Sequence, residues 1–144
     1  MAVTSEEIAR ELESFYRYYI DVFNREDDRF FDCFAPVYQI VGGERGLTTV
    51  TNDANYRNEF RTNIMKAFKE RGWVRSEIDR VKAWAMAENL GMIISDVTRY
   101  KADNSVMDKL RACYMVRRAG NSWQYLTVGE IKPPYLGPGD VPRA

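Results

Sequence analysis

Beyond Gly72 the hydrophobic period of this chain changes to two, and that change limits what the sequence can fold into more than any other feature. Before it, apart from one short hairpin, apolar residues recur at three- and four-residue steps; after it, they alternate. Thr4-Ser5-Glu6-Glu7 has the form of a capping box, and Ile8, Leu12, Phe15, Tyr19 and Val22/Phe23 then mark one face of a first helix. Asn24-Arg25-Glu26-Asp27 interrupts the pattern. Phe30, Phe31 and Phe34 form the face of a short second helix that ends before Pro36. Val37-Tyr38-Gln39-Ile40-Val41, a glycine-rich turn at 42–46, and Leu47-Thr48-Thr49-Val50 read as a short hairpin. Thr51, Asn52 or Asp53 caps a third helix, in which Tyr56, Phe60, Ile64 and Phe68 share a face and Gly72 ends the run.

Residues 74–86, 90–100, 107–118 and 123–131 read as strands, with connections so short that they form an antiparallel meander. Helices gathered at the start and strands at the end specify the α+β class: three N-terminal helices packed on a strongly curved, mainly antiparallel sheet, forming a cone. One domain is expected over residues 1–132. Four of the five prolines lie beyond it, so residues 133–144 read as an extended Pro/Gly-rich tail.

Lys+Arg and Asp+Glu number 21 each, which leaves no excess positive charge for nucleic acid or an anionic membrane surface. No stretch reaches the roughly 18 apolar residues of a membrane span. The first residues lack the basic start and apolar core of a signal peptide, so a cytoplasmic location is expected. Cys33 and Cys113 lie on apolar segments and read as buried free thiols. There is no histidine, which removes Ser-His and Cys-His nucleophile pairs and the usual zinc sites. Gly42-Gly43-Glu44-Arg45-Gly46 lacks the ending of a phosphate loop, and Glu26-Asp27-Asp28 lacks the spacing of a calcium loop. No cofactor and no metal site is expected.

The element order resembles the nuclear transport factor 2-like superfamily, which includes SnoaL-like polyketide cyclases, ketosteroid isomerase and limonene epoxide hydrolase. The resemblance runs from Thr4 to Ile131. It is carried by Phe23-Asn24-Arg25-Glu26-Asp27 leading to Cys33-Phe34-Ala35-Pro36, by the Gly46 turn, and by Gly120-Asn121-Ser122-Trp123 entering the last strand. It implies a cone-like SnoaL-like fold, a pocket between helices and inner sheet face, and dimerisation through the outer face. It supplies no activity, because function in such a fold lives in the site. A ketosteroid isomerase-like site asks for a tyrosine near Tyr19, an aspartate base where Val41 or Gly42 stands and a protonated aspartate near Tyr114, so two of its three groups are missing. A SnoaL-like cyclase needs a histidine. A limonene epoxide hydrolase-like site needs Arg-x-Asp on one strand, where this chain has Asp96-Val97-Thr98-Arg99.

Alternation on residues 107–118 turns Leu110, Ala112, Tyr114 and Val116 inward, and Lys109, Arg111, Cys113, Met115 and Arg117 outward. On residues 90–100, aligning Gly91 with the small residue of relatives turns Ile94, Asp96 and Thr98 inward, whereas a one-residue slip puts Asp96 outside. An inward Asp96 is a carboxylate in an apolar cavity, where desolvation suits it to acid/base work. The rival role is an ion pair with an arginine across strands. Tyr19, Tyr38, Tyr56 and Tyr114 are the candidate ligand-binding residues, since a phenol joins an apolar ring to a hydrogen-bonding hydroxyl; as core residues they need no ligand. Tyr16, Trp84 and Trp123 read the same way.

Two functions stay open. One is a pocket protein that binds a small apolar or aromatic molecule, with or without cofactor-free isomerisation, cyclisation, dehydration or hydrolysis at Asp96. The other is a non-catalytic dimeric ligand-binding or protein-interaction module. A homodimer through the outer sheet face is expected in both, with Cys113 and Met115 set among Arg111 and Arg117.

Overall fold

The computed structural model describes residues 3–132 and 135–139 of the chain. Helix α1 spans Ser5–Asn24, and Thr4 caps it reciprocally with Glu7: the Glu7 amide donates to Thr4 Oγ1 and the Thr4 amide donates to a Glu7 carboxylate oxygen. A 3-10 helix follows at Asp28–Cys33. Strand β1 (Phe34–Val41) begins at Phe34, so this aromatic belongs to the strand and not to the short helix expected from its spacing. Strand β2 (Leu47–Thr51) returns beside β1.

The third helical segment has three parts: α2 (Ala54–Glu59), a π-helical turn (Phe60–Ile64) and α3 (Met65–Glu70). Asp53 caps its start by accepting from the Tyr56 amide. The Met65 amide reaches back five residues to the Phe60 carbonyl, and this wide turn advances the buried face by one position. Met65 is therefore buried and Ile64 exposed, which corrects the even four-residue face expected from the sequence. The chain leaves the helix through Gly72, whose φ of +98° suits glycine.

The strands β3 (Trp73–Ala87), β4 (Leu90–Lys101), β5 (Val106–Ala119) and β6 (Ser122–Ile131) form the antiparallel meander. Strand β6 then pairs in parallel with β1, giving the order β2-β1-β6-β5-β4-β3. The sheet is curved, and bulges interrupt the register at Ile78/Arg80, Arg99/Tyr100 and Met115/Val116. Pro36 lies where the β1–β6 pairing is broken, between Phe34 and Gln39, so its missing N–H leaves no gap in that ladder.

The concave face holds the core. Leu12 and Tyr16 of α1 are fully buried against Ala83, Ile93, Val116 and Tyr125. Gly91 makes the close approach possible: a Cβ there would stand 2.3 Å from Leu12 Cδ1 and 3.0 Å from the Trp84 carbonyl oxygen. Gly91 thus faces α1, and with it Ile93, Ser95, Val97 and Arg99 turn inward. On β5, Leu110, Ala112, Tyr114 and Val116 face the core as the alternation predicts. Cys33 is buried, Cys113 half-buried, and both are free.

Among the described residues, no helix is long and apolar enough to cross a membrane. Of the tail at 133–144, only 135–139 is among the described residues; there the Tyr135 carbonyl accepts from Arg111 Nη1, and the rest lies outside them.

Candidate functional site

A cavity of about 300 Å³ opens between α1, the third helical segment and the concave sheet face. Its apolar wall comes from Phe23, Phe30, Phe34, Phe60, Leu110 and Val128. The helical spacing of Tyr16, Tyr19 and Phe23 brings rings from α1 down onto the sheet, where alternation on β5 and β6 sets Tyr114 and Tyr125 opposite them. Tyr19 is at the centre, its ring centroid 4.8 Å from Tyr125 and 5.5 Å from Phe30. Each such pair is worth about 0.5–1.5 kcal/mol beyond the area it buries, so the rings stabilise one another's placement in the wall.

Tyr19, Tyr38, Tyr56 and Tyr114 all line this cavity, together with Tyr16. Strand β1 and helix α2 bring Tyr38 and Tyr56 together, with their hydroxyls 2.6 Å apart. Deeper in, Ser95 Oγ donates to the Tyr16 hydroxyl at 2.6 Å, and the ring of Tyr114 lies 5.4 Å from that of Tyr16 and 6.1 Å from that of Tyr19, centroid to centroid. Burial pushes the pKa of all these phenols up from the ordinary 10.0, well above it for Tyr16, Tyr19 and Tyr114. The wall therefore presents neutral hydroxyls near neutral pH, able to donate and accept hydrogen bonds but not to act as anionic bases. The Cys33 thiol is pushed up to about 12, chiefly by burial, and is no nucleophile.

Among the described residues, two charged side chains border the cavity, Arg99 on β4 and Glu130 on β6. Arg99 donates from Nε to Asp108 Oδ1 at 2.6 Å and lies over the Phe68 ring, 4.8 Å from its centroid. Ser76 also lines the cavity, fixed by Asn24: the Ser76 amide donates to Asn24 Oδ1 and Asn24 Nδ2 donates to the Ser76 carbonyl, each at 2.8 Å.

Asp96 is not in this cavity, which corrects the inward orientation expected from aligning Gly91. It pairs across β4 and β5 with Arg111, on the outer face. Arg111 Nε donates to it at 2.6 Å and Arg80 Nη2 at 2.8 Å, and the hydrogen bonds from Arg111 above all hold its carboxyl below the usual carboxylate range. A carboxylate stabilised as an anion on the convex face is a structural ion pair, and desolvation does not make it an acid near neutrality. Ile94 and Thr98 share that outer face; Thr98 donates to Asp79 at 2.5 Å.

Arg99, Ser76 and Ser95 went unmarked as site residues in the sequence. The signal for two of them was the set Gly91, Ile93, Ser95, Val97 and Arg99, the other parity of β4. Ser76 carries no such signal. A second, larger groove of about 560 Å³ lies between the 3-10 helix and the third helical segment and shares Phe23, Phe30 and Phe60 with the cavity. Its rim is charged and largely self-paired, with Lys69 against Glu26 at 2.6 Å and Arg61 against Asp28 at 2.8 Å. The smaller cavity is the better site, because its polar groups converge within an apolar wall. Among the described residues, no group of three or more Cys, Asp or Glu side chains is arranged to hold a metal ion.

A family model described as NTF2-like protein (DUF6841) matches residues 7–129. No curated protein sequence matches the chain. Among solved structures, the chain is similar to an NTF2-like protein of unknown function from Pseudomonas putida KT2440, with a TM-score of 0.68, 14% identity, and 91% of this chain and 90% of that one covered. It is similar to a protein of unknown function with a cystatin-like fold from Nostoc punctiforme, with a TM-score of 0.65, 13% identity, and 93% and 97% covered. It is also similar to the yeast UBP3-associated protein BRE5, with a TM-score of 0.63, 14% identity, and 91% and 99% covered. At these identities the likeness is one of fold.

Proposed function

The chain belongs to the NTF2-like family DUF6841, and we propose that its cone cavity binds a small apolar or aromatic molecule. One observation carries this reading: an apolar cavity of about 300 Å³ onto which five neutral phenols, of Tyr16, Tyr19, Tyr38, Tyr56 and Tyr114, converge. Rings stack with a flat ligand and hydroxyls fix its orientation. Asp96, held as an anion on the convex face, supplies no acid or base to this cavity.

Calorimetric titration with 2-naphthamide, a neutral aromatic probe, tests the reading. Binding is expected in the wild-type chain and should be lost in Ala112→Leu, which adds bulk at a buried position of the cavity wall. Equal heats in both proteins, or no binding to the wild type of either this probe or its carboxylate analogue 2-naphthoate, would refute the assignment.

The outer sheet face supports the second half of the reading, a homodimer. Met92, Cys113 and Met115 are half-buried there beside Arg111 and Arg117, a mixture of soft apolar and arginine surface suited to an interface. Light scattering at micromolar concentration should give twice the 16.8 kDa chain mass; a monomer mass overturns it.

A further inference from the structure

The geometry points to a narrower ligand class: an aromatic carboxylate, its ring among the tyrosines and its carboxylate held by Arg99. This rests on the cavity reading above and goes beyond it by assigning the charge of the ligand and the residue that reads it. Among the described residues, Arg99 is the cation of the cavity wall, with its side chain 19% exposed. Phe68 covers one face of the guanidinium and Asp108 occupies Nε. Among the described residues, neither terminal nitrogen of Arg99 takes part in a hydrogen bond of the kind that fixes Nε. The edge formed by these two nitrogens matches the two oxygens of a carboxylate.

Charge at this end of the cavity favours an anion. Asp108 is shared: its second oxygen accepts from Arg71 Nη2 at 2.9 Å, so two guanidinium groups divide one carboxylate and one positive charge is left over. Glu130 also borders the cavity, but at a different level. Arg99 faces Asp108 on β5, whereas Glu130 faces Ala112, four residues further along that strand, or roughly 13 Å. A ligand acid at the Arg99 end is thus set apart from Glu130, and its ring extends toward the phenols.

The experiment compares 2-naphthoate with 2-naphthamide, which share a ring and differ in charge at one end, by calorimetric titration of the full chain at pH 7. The naphthoate should bind the wild type at least about tenfold more tightly, as expected for a hydrogen-bonded charge pair. In Arg99→Gln the advantage should fall below about threefold while amide binding is retained, and Arg99→Lys, which keeps the charge but loses the planar fork, should lie between. Equal binding of acid and amide to the wild type overturns the inference and leaves the cavity reading standing, as does an acid preference that survives in Arg99→Gln. Failure of both probes to bind the wild type overturns both. The wild-type comparison decides the matter even where a variant fails to fold.

Discussion

Asp96 stands directly across from Arg111 on the neighbouring strand, with Arg111 Nε 2.6 Å from one carboxylate oxygen and Arg80 Nη2 2.8 Å from the other. Three strands are tied by one carboxylate on the convex face, because Arg80 comes from β3 and Arg111 from β5.

Asp96→Asn should therefore act on stability and leave the cavity alone. With the Asp96 side chain 18% and that of Arg111 12% exposed, the pair is only partly screened, and a loss of about 1–2 kcal/mol is expected from chemical denaturation. The folded-state pKa of Asp96 is depressed, so its contribution is fully present above the ordinary carboxylate value and is lost as pH falls through the folded one. The gap between wild type and variant should close in acid. An Asp96→Asn variant with wild-type stability at pH 7 but no binding of 2-naphthamide would return Asp96 to the site.

The face of Asp96 was misassigned by the parity taken from Gly91, which itself faces α1, and counting across the turn does not recover it. At the turn end, Tyr100 pairs with Val106, and unbroken counting from there sets Asp96 opposite Leu110, which faces inward. A bulge shifts the register beside Arg99, which pairs with Asp108, and every pair beyond it moves by one, so Asp96 meets Arg111. A bulge leaves no mark in an apolar/polar alternation. The faces of β5 were legible because Leu110, Ala112, Tyr114 and Val116 alternate with a set that carries Lys109, Arg111 and Arg117, and the order of helices before strands gave the α+β cone. The four tyrosines were legible as ring-bearing wall residues, but the 2.6 Å meeting of Tyr38 and Tyr56 depends on how β1 and α2 are brought together over the intervening hairpin.

The π-helical turn makes a prediction at adjacent residues. Met65, 7% exposed, has taken the inward position that even spacing gives to Ile64, which is 39% exposed. Met65→Ala should cost about 2 kcal/mol or more and Ile64→Ala about 0.5 kcal/mol or less. The reverse order in urea denaturation would mean that the helix runs through without the wide turn.

Tyr38 and Tyr56 should behave as one unit. Either phenylalanine variant leaves the other hydroxyl without its 2.6 Å partner, so each single change should cost about 1 kcal/mol and the double variant little more than either. A double-mutant cycle of unfolding free energies measures the coupling. Additive losses would show that the two hydroxyls do not depend on each other.

Alkaline titration tests the dryness of the tyrosine cluster. Desolvation raises the phenols of Tyr16, Tyr19, Tyr114 and Tyr125 well above 10.0, and neighbouring phenols raise them further. For a group with a raised folded-state pKa, the stabilising contribution is complete below the ordinary value and drains away as pH climbs toward the folded one. Stability should thus fall as pH rises past about 10, because the unfolded chain releases these protons first. Followed by tyrosinate absorbance, the nine tyrosines should not ionise together: these four should stay protonated while the chain is folded and ionise in step with loss of far-ultraviolet circular dichroism. A single absorbance wave near pH 10 with the fold intact would mean that water reaches the whole cluster, and a cavity wetted in that way would not hold an aromatic ring through burial.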